Sequence, residues 1–285
     1  MGGGAMRKSL IAIAAVAVLA GSPALAADMA LKAPPLPPPP AELWTGAYLG
    51  GFAGGAFGSS NATVGDCSGP TFTCTAGALP ATFNLSDSFI GGLTTGAQQQ
   101  VGHFVFGLES ETGYIHMNGS GSLVGPIQPN VGTITFGDWY STETIRFGVT
   151  NGFFNGATDN ILLYGKIGIG YGNFQNTLRY TNNAATAGFL TENLTNRNIL
   201  AGGAAGAGLE WKVTPLWSVK GEYEYFAINN SAYACGPVLS PGLGPPVVPA
   251  ANVCSLGSMK GFSTVKVGIN RSFDLMSLLN GLVQH

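Results

Sequence analysis

Two pairs of carboxylates, Glu109-x-Glu111 and Glu222-x-Glu224, are spaced to put both acids of a pair on one side of an extended chain. Closely held carboxyl groups can perform general acid–base chemistry. A second candidate is His116 with Ser120, Ser122 and Glu111, since a serine, a histidine and an acid form a hydrolytic triad when they converge. A deacylase-like H-x-S spacing is absent, because His116 precedes Met117-Asn118 and His103 precedes Phe104-Val105. His116 also lies just past Tyr114 at the end of an extended segment, where an exposed ligand such as heme iron could reach it. Gly168-Ile169-Gly170-Tyr171-Gly172 has closely spaced glycines but opens no helix, so it makes no phosphate cradle.

Basic residues elsewhere decide how the acids are read. In "WSVKGEYEYF", residues 217–226, Trp217, Val219, Tyr223 and Tyr225 alternate with Ser218, Lys220, Glu222 and Glu224. This is the period of a β-strand with two unlike faces. The same phase in other segments groups Glu109, Glu111, Arg146, Lys166, Glu210, Lys212, Lys220, Glu222, Glu224 and Lys266 on one side. Acids and bases balance in this set, which predicts ion pairs rather than catalytic acids. The opposite faces read Phe104, Phe106, Leu108; Ile145, Phe147, Val149; Ile161, Leu163, Ile167, Ile169; Val265, Val267, Ile269. That is a lipid-facing surface, with the charges turned to an enclosed interior. No enzyme, bound cofactor or metal is expected.

Eight such segments run near 45–57, 88–99, 103–114, 138–150, 161–173, 197–213, 217–228 and 260–273. Each is long enough to cross a bilayer at a tilt. Their connections alternate between long (58–87, 115–137, 174–196, 229–259) and short (100–102, 151–160, 214–216). The pattern predicts an all-β fold, an eight-stranded antiparallel transmembrane β-barrel with up-and-down meander topology over 44–273. A lumen of this size is about filled by side chains, so its charges must pair.

Composition agrees. Charged residues are 9% of the chain and glycines number 44. Residues 1–26 form a signal peptide: Arg7 and Lys8, an apolar run from Leu10 to Ala20, and Ala24-Leu25-Ala26 for cleavage. Its removal takes the net charge from −2 to about −4, which leaves no basic patch for nucleic acid. Residues 27–43, centred on Ala33–Pro40, make a stiff polyproline spacer on the periplasmic side. Residues 274–285 are expected to be a periplasmic tail, with Leu275, Leu278, Leu279 and Leu282 at helical spacing.

Cys67 and Cys74 fall in the first long connection, Cys235 and Cys254 in the fourth. Three pairings are open to four cysteines. Closure within each connection is the simplest in an oxidising compartment. Cys67 joined to Cys235 or Cys254 would instead clamp the two connections together.

The leader, "ADMALKAPPLPPPP" and "WTGAYLGGFAGGAFG" resemble the small outer-membrane β-barrel proteins of alphaproteobacteria, relatives of the OmpA-type barrel that include major surface antigens and hemin-binding proteins. "FIGGLTTGAQQQVGHFVFGLE", "WYSTETIRFGV" and "FSTVKVGINRSF" extend the likeness over nearly the whole mature chain. The resemblance implies residence in the bacterial outer membrane among lipid and lipopolysaccharide. It implies delivery by periplasmic chaperones and the barrel assembly machinery, and a structural role in envelope integrity with surface loops. A ligand receptor of the hemin type, binding an extracellular ligand through the loops, or a narrow porin-like pore is the alternative. The oligomeric state is not specified. Three features depart from the family pattern: Ala97 and Gln99 at outward positions usually aromatic, Glu143 at an outward position usually apolar, and the residues beyond Phe273.

Overall fold

The computed structural model describes residues 43–58, 62–68, 81–123, 130–155, 159–184, 188–228, 230–238 and 250–273. The expected signal peptide, the C-terminal tail and all of the spacer but its last residue lie outside these. The strands are β1 (Gly46–Phe57), β2 (Ala62–Ser68), β3 (Ala81–Phe83), β4 (Ser88–Val101), β5 (Phe104–Leu123), β6 (Asn130–Thr150), β7 (Ile161–Ala184), β8 (Gly188–Lys212), β9 (Trp217–Ala227), β10 (Asn230–Val238), β11 (Ala250–Met259) and β12 (Phe262–Phe273). A single helical turn, α1 (Gly152–Asn155), joins β6 to β7.

Eight strands close a barrel in the order β1-β12-β9-β8-β7-β6-β5-β4, every pair antiparallel. Closure comes from β1, which pairs with β12 (Gly51↔Ile269) on one side and with β4 (Gly51↔Leu93) on the other. Small residues make this seam tight. A Cβ on Gly54 would meet the Val265 carbonyl oxygen at 2.0 Å. The outward faces carry the apolar residues expected of a lipid-facing wall, with Phe106, Ile145, Ile167 and Val267 each more than half exposed.

The long connections are mostly strand. β5, β6, β7 and β8 run for 20, 21, 24 and 25 residues, about twice what a bilayer crossing needs. β2, β3, β10 and β11 form a second sheet in the order β10-β11-β2-β3. Each of these follows or precedes a barrel strand in the chain: β1 leads to β2, β3 to β4, β9 to β10 and β11 to β12. β3 packs along β5, where the Ser86 N–H donates to the Asn118 carbonyl at 2.7 Å, and β10 packs along β8. The barrel's strand order is thus repeated in an upper tier.

The two tiers differ in what they enclose, and β5 shows the change along one strand. Its lower half points Phe104, Phe106 and Leu108 outward and Glu109 and Glu111 inward. Its upper half points Asn118, Ser120 and Ser122 outward and Ile115, Met117 and Leu123 inward. The lower tier is apolar outside and charged inside, and the upper tier is the reverse, as a water-exposed sheet requires. At the boundary β6 bulges between Phe136 and Tyr140, with Gly137 at φ 138° and Asp138 at φ 67°. A Cβ at Gly137 would lie 1.9 Å from the Ile115 carbonyl oxygen, so glycine is required there.

Candidate functional site

All ten residues grouped by phase point into the lower tier and are at most 6% exposed. Four carboxylates and three ammonium groups make the centre. Lys166 Nζ lies 2.6 Å from Glu222, 3.0 Å from Glu111, 3.3 Å from Glu109 and 3.4 Å from Glu224. Lys220 reaches Glu111 at 2.8 Å and Glu109 at 3.1 Å. Lys266 reaches Glu222 at 2.8 Å and also pairs with Glu111 and Glu224.

Arg146 ties this centre to Glu210, pairing with Glu210 on one side and with Glu109 at 3.4 Å on the other. Its guanidinium lies 3.6 Å from the centroid of the Tyr164 ring. Ser218 and Asn270 also donate to Glu210. Lys212 stands apart. Its ammonium donates to Ser272 Oγ and lies 5.2 Å from the Trp44 ring centroid, toward the end of the barrel with the short turns.

The phase of the charged residues places these groups, but several neutral partners were not singled out from the sequence. The Tyr48 hydroxyl donates to Glu109 at 3.0 Å and the Tyr164 hydroxyl to Glu222 at 2.9 Å. Both tyrosines occupy inward positions of their strands. Extending the same alternation from charged to neutral residues identifies them.

Both ends of this ionic layer are covered. Above it, Phe136, Phe226 and Phe262 pack with ring centroids 5.1–5.9 Å apart, forming the floor of an apolar core that includes Ile115, Met117, Ile134, Phe174 and Leu178. Below it, Trp44 packs with Val105, Leu162 and Tyr164. The Trp44 indole N–H donates to the Asp159 carbonyl at 2.6 Å, and its backbone N–H to the Gln100 side chain at 3.2 Å. The Asp159 carboxylate accepts from Thr150 Oγ1 at 2.6 Å and Gln100 Nε2 at 3.2 Å, and lies 3.1 Å from His103 Nδ1. Partial burial works against the charge on Asp159, but the bonds from Thr150 and His103 outweigh it and hold the carboxyl below its ordinary range.

Glu109, Glu111 and Glu222 converge closely enough to share a cation. The ammonium groups of Lys166, Lys220 and Lys266 already lie among them, so the chemistry of this cluster is ion pairing. The serine, histidine and acid of the hydrolytic candidate do not come together. Glu111 points inward, whereas His116, Ser120 and Ser122 point out of the same strand. His116 Nδ1 lies 3.1 Å from Asp138 and its Nε2 3.3 Å from Asn118 Nδ2, so both ring nitrogens have neighbours. Cys235 and Cys254 are joined by a disulfide across β10 and β11. Cys67 stands opposite Cys254 in the adjoining strand pair. Cys74 lies outside the described residues, as does the expected Cys67–Cys74 pairing.

No family model matches the chain. The 31 kDa outer-membrane immunogenic protein of Brucella melitensis biotype 1 is 27% identical over 279 residues, which covers 93% of this chain and 100% of that protein. The protein of the same name from Brucella suis biovar 1 matches with the same identity and coverage. The crystal structure of the outer membrane protein OprG from Pseudomonas aeruginosa covers 81% of this chain and 97% of its own at 12% identity and a TM-score of 0.47, a likeness too slight to add to the strand order already described. This chain is an eight-stranded β-barrel of the bacterial outer membrane, similar over nearly its whole length to the outer-membrane immunogenic proteins of Brucella.

Proposed function

We propose that the protein is a structural component of the outer membrane that supports envelope integrity and holds a folded tier at the cell surface, where it is met as an antigen. The single observation that carries this reading is the filling of the barrel from end to end. An ionic layer occupies the lower tier, an apolar core the upper one, and Trp44 lies at the periplasmic end. Nothing in that arrangement favours a pore. With Asp138 beside Nδ1, a heme iron would need His116 Nε2, which Asn118 Nδ2 already engages at 3.3 Å, and this counts against hemin capture at that residue. The reading assigns the chain no catalysis. The Brucella relatives are named as immunogenic outer-membrane proteins, which supports the antigen role.

Cells lacking the protein should become more sensitive to detergent and release periplasmic enzymes, with recovery on re-expression. In the re-expressing cells a membrane-impermeant maleimide should label Ser120→Cys, on the outer face of the upper tier, but not Phe154→Cys in α1 until the envelope is opened. Normal detergent resistance in the deletion strain would refute the structural role. Labelling of residue 154 alone in intact cells would refute the surface placement.

A further inference from the structure

Arg271 places a cation on the outward face of β12, at the end of the barrel with the short turns. It is exposed, and its cross-strand neighbours are Trp217 on β9 and Leu49 on β1. Its guanidinium lies 5.8 Å from the Trp217 ring centroid and 5.2 Å from that of Phe273. The ion pairs of the described residues do not include it. One row further into the apolar band, Ile269 stands opposite Gly51, and Gly51 opposite Leu93. With no side chain at Gly51 the wall is hollow there. A depression of about 340 Å³ is walled by Leu49, Leu93 and Ile269, with Arg271, Trp217 and Phe273 toward the short turns. None of its lining residues is acidic.

Aromatic and basic residues at the edge of the band ordinarily anchor a membrane protein at the interface. This pair has more than an anchor needs, because an apolar slot leads from the charge into the band. We infer that Arg271 and the slot bind one anionic glycerophospholipid, with its phosphate on the guanidinium and an acyl chain along Leu49, Leu93 and Ile269. Ring contacts use the faces of a guanidinium and leave its in-plane N–H groups to donate to two phosphate oxygens. One guanidinium matches the single phosphodiester of such a lipid, whereas lipid A presents two phosphates. With no acidic residue in the lining, the ammonium of a zwitterionic ethanolamine lipid finds no partner. A headgroup of net negative charge, such as phosphatidylglycerol, is therefore favoured.

Native mass spectrometry of the folded protein in a neutral detergent, titrated with phosphatidylglycerol, tests this. The wild type should take up one lipid ahead of any others. Arg271→Gln should weaken that first binding about tenfold, the worth of one charge-assisted contact. Gly51→Leu fills the slot at a position where a Cβ meets only the Gly92 carbonyl, at 3.5 Å, and should weaken it severalfold. Lys260→Gln removes an exposed cation at the other end of β12 and should leave it unchanged. Heat-modifiable migration shows which variants are folded. Excess inorganic phosphate should not displace the lipid, and phosphatidylethanolamine should bind severalfold more weakly. Unchanged binding in folded Arg271→Gln, or an equal loss in Lys260→Gln, would overturn the site. Unchanged binding in folded Gly51→Leu, or displacement by phosphate alone, would overturn the acyl chain as part of the ligand. Equal binding of phosphatidylethanolamine would overturn the headgroup assignment, and tighter binding of lipid A the choice of a glycerophospholipid.

Discussion

Lys166→Met should lower the unfolding free energy in lipid vesicles by about 3–5 kcal/mol, the cost of leaving buried charges uncompensated. The direction follows from the balance of the connected set. Glu109, Glu111, Glu210, Glu222 and Glu224 face Arg146, Lys166, Lys220 and Lys266, so carboxylates already exceed cations by one. Removing Lys166, which touches four of the acids, widens the excess to two. Glu222→Gln should be milder, about 1–3 kcal/mol. It evens the count, and its amide oxygen can still accept the Tyr164 hydroxyl bond. Denaturant titration in vesicles distinguishes the two variants. A smaller loss for Lys166→Met than for Glu222→Gln would mean that the groups are not ionised as a connected lattice.

Phe136→Ala should cost a comparable amount, about 3–5 kcal/mol, because a fully buried aromatic is replaced by a void. Phe136 is 0% exposed and sits 5.9 Å from Phe226 and 5.3 Å from Phe262, centroid to centroid, at the junction of the tiers. A Cβ at Gly172 would approach the Phe136 ring at 2.6 Å, so the strand opposite is fitted to it. The same titration reads the loss. An effect below about 1 kcal/mol would show that the upper tier relaxes around the missing ring and is not a close-packed core.

Much of the lower tier is legible in the residue pattern because lipid and lumen demand opposite chemistry on alternate positions. The strand limits at the short-turn end fall within two residues of those expected; β6 and β7, for example, end and begin at Thr150 and Ile161 as the alternation predicts. The charged interior set is readable for the same reason. A charge cannot be placed in lipid at low cost, so Lys220, Glu222 and Glu224 fix the phase of β9.

The upper tier was expected as loops near 58–87, 115–137, 174–196 and 229–259, and most of its described residues are strand. The alternation continues there, but with its polarity reversed. Met117, Phe174 and Leu178 turn inward while Asn118, Gln175 and Thr177 face water or neighbouring side chains. The apolar outward face that marks a lipid-spanning strand ends where that reversal begins. Pairing between β2, β3, β10 and β11 joins segments up to nearly two hundred residues apart, such as Ala62↔Met259, and no local signal announces it. Glu143 is a different case. Its outward position was readable, but its place in a polar row required the register that sets Ser110 between Thr95 and Glu143.

The most direct measurement is ion conduction by the purified, folded barrel in a planar bilayer, with wild type beside Phe136→Ala. The wild type should pass no resolved current, since ion-paired side chains fill the lumen and apolar residues cover both of its ends. Phe136→Ala should add brief, low-amplitude openings as water reaches the ionic layer. Large, stable, porin-like conductance from the wild type would contradict a filled barrel, because it requires Lys166, Glu222 and their neighbours to line water instead of one another.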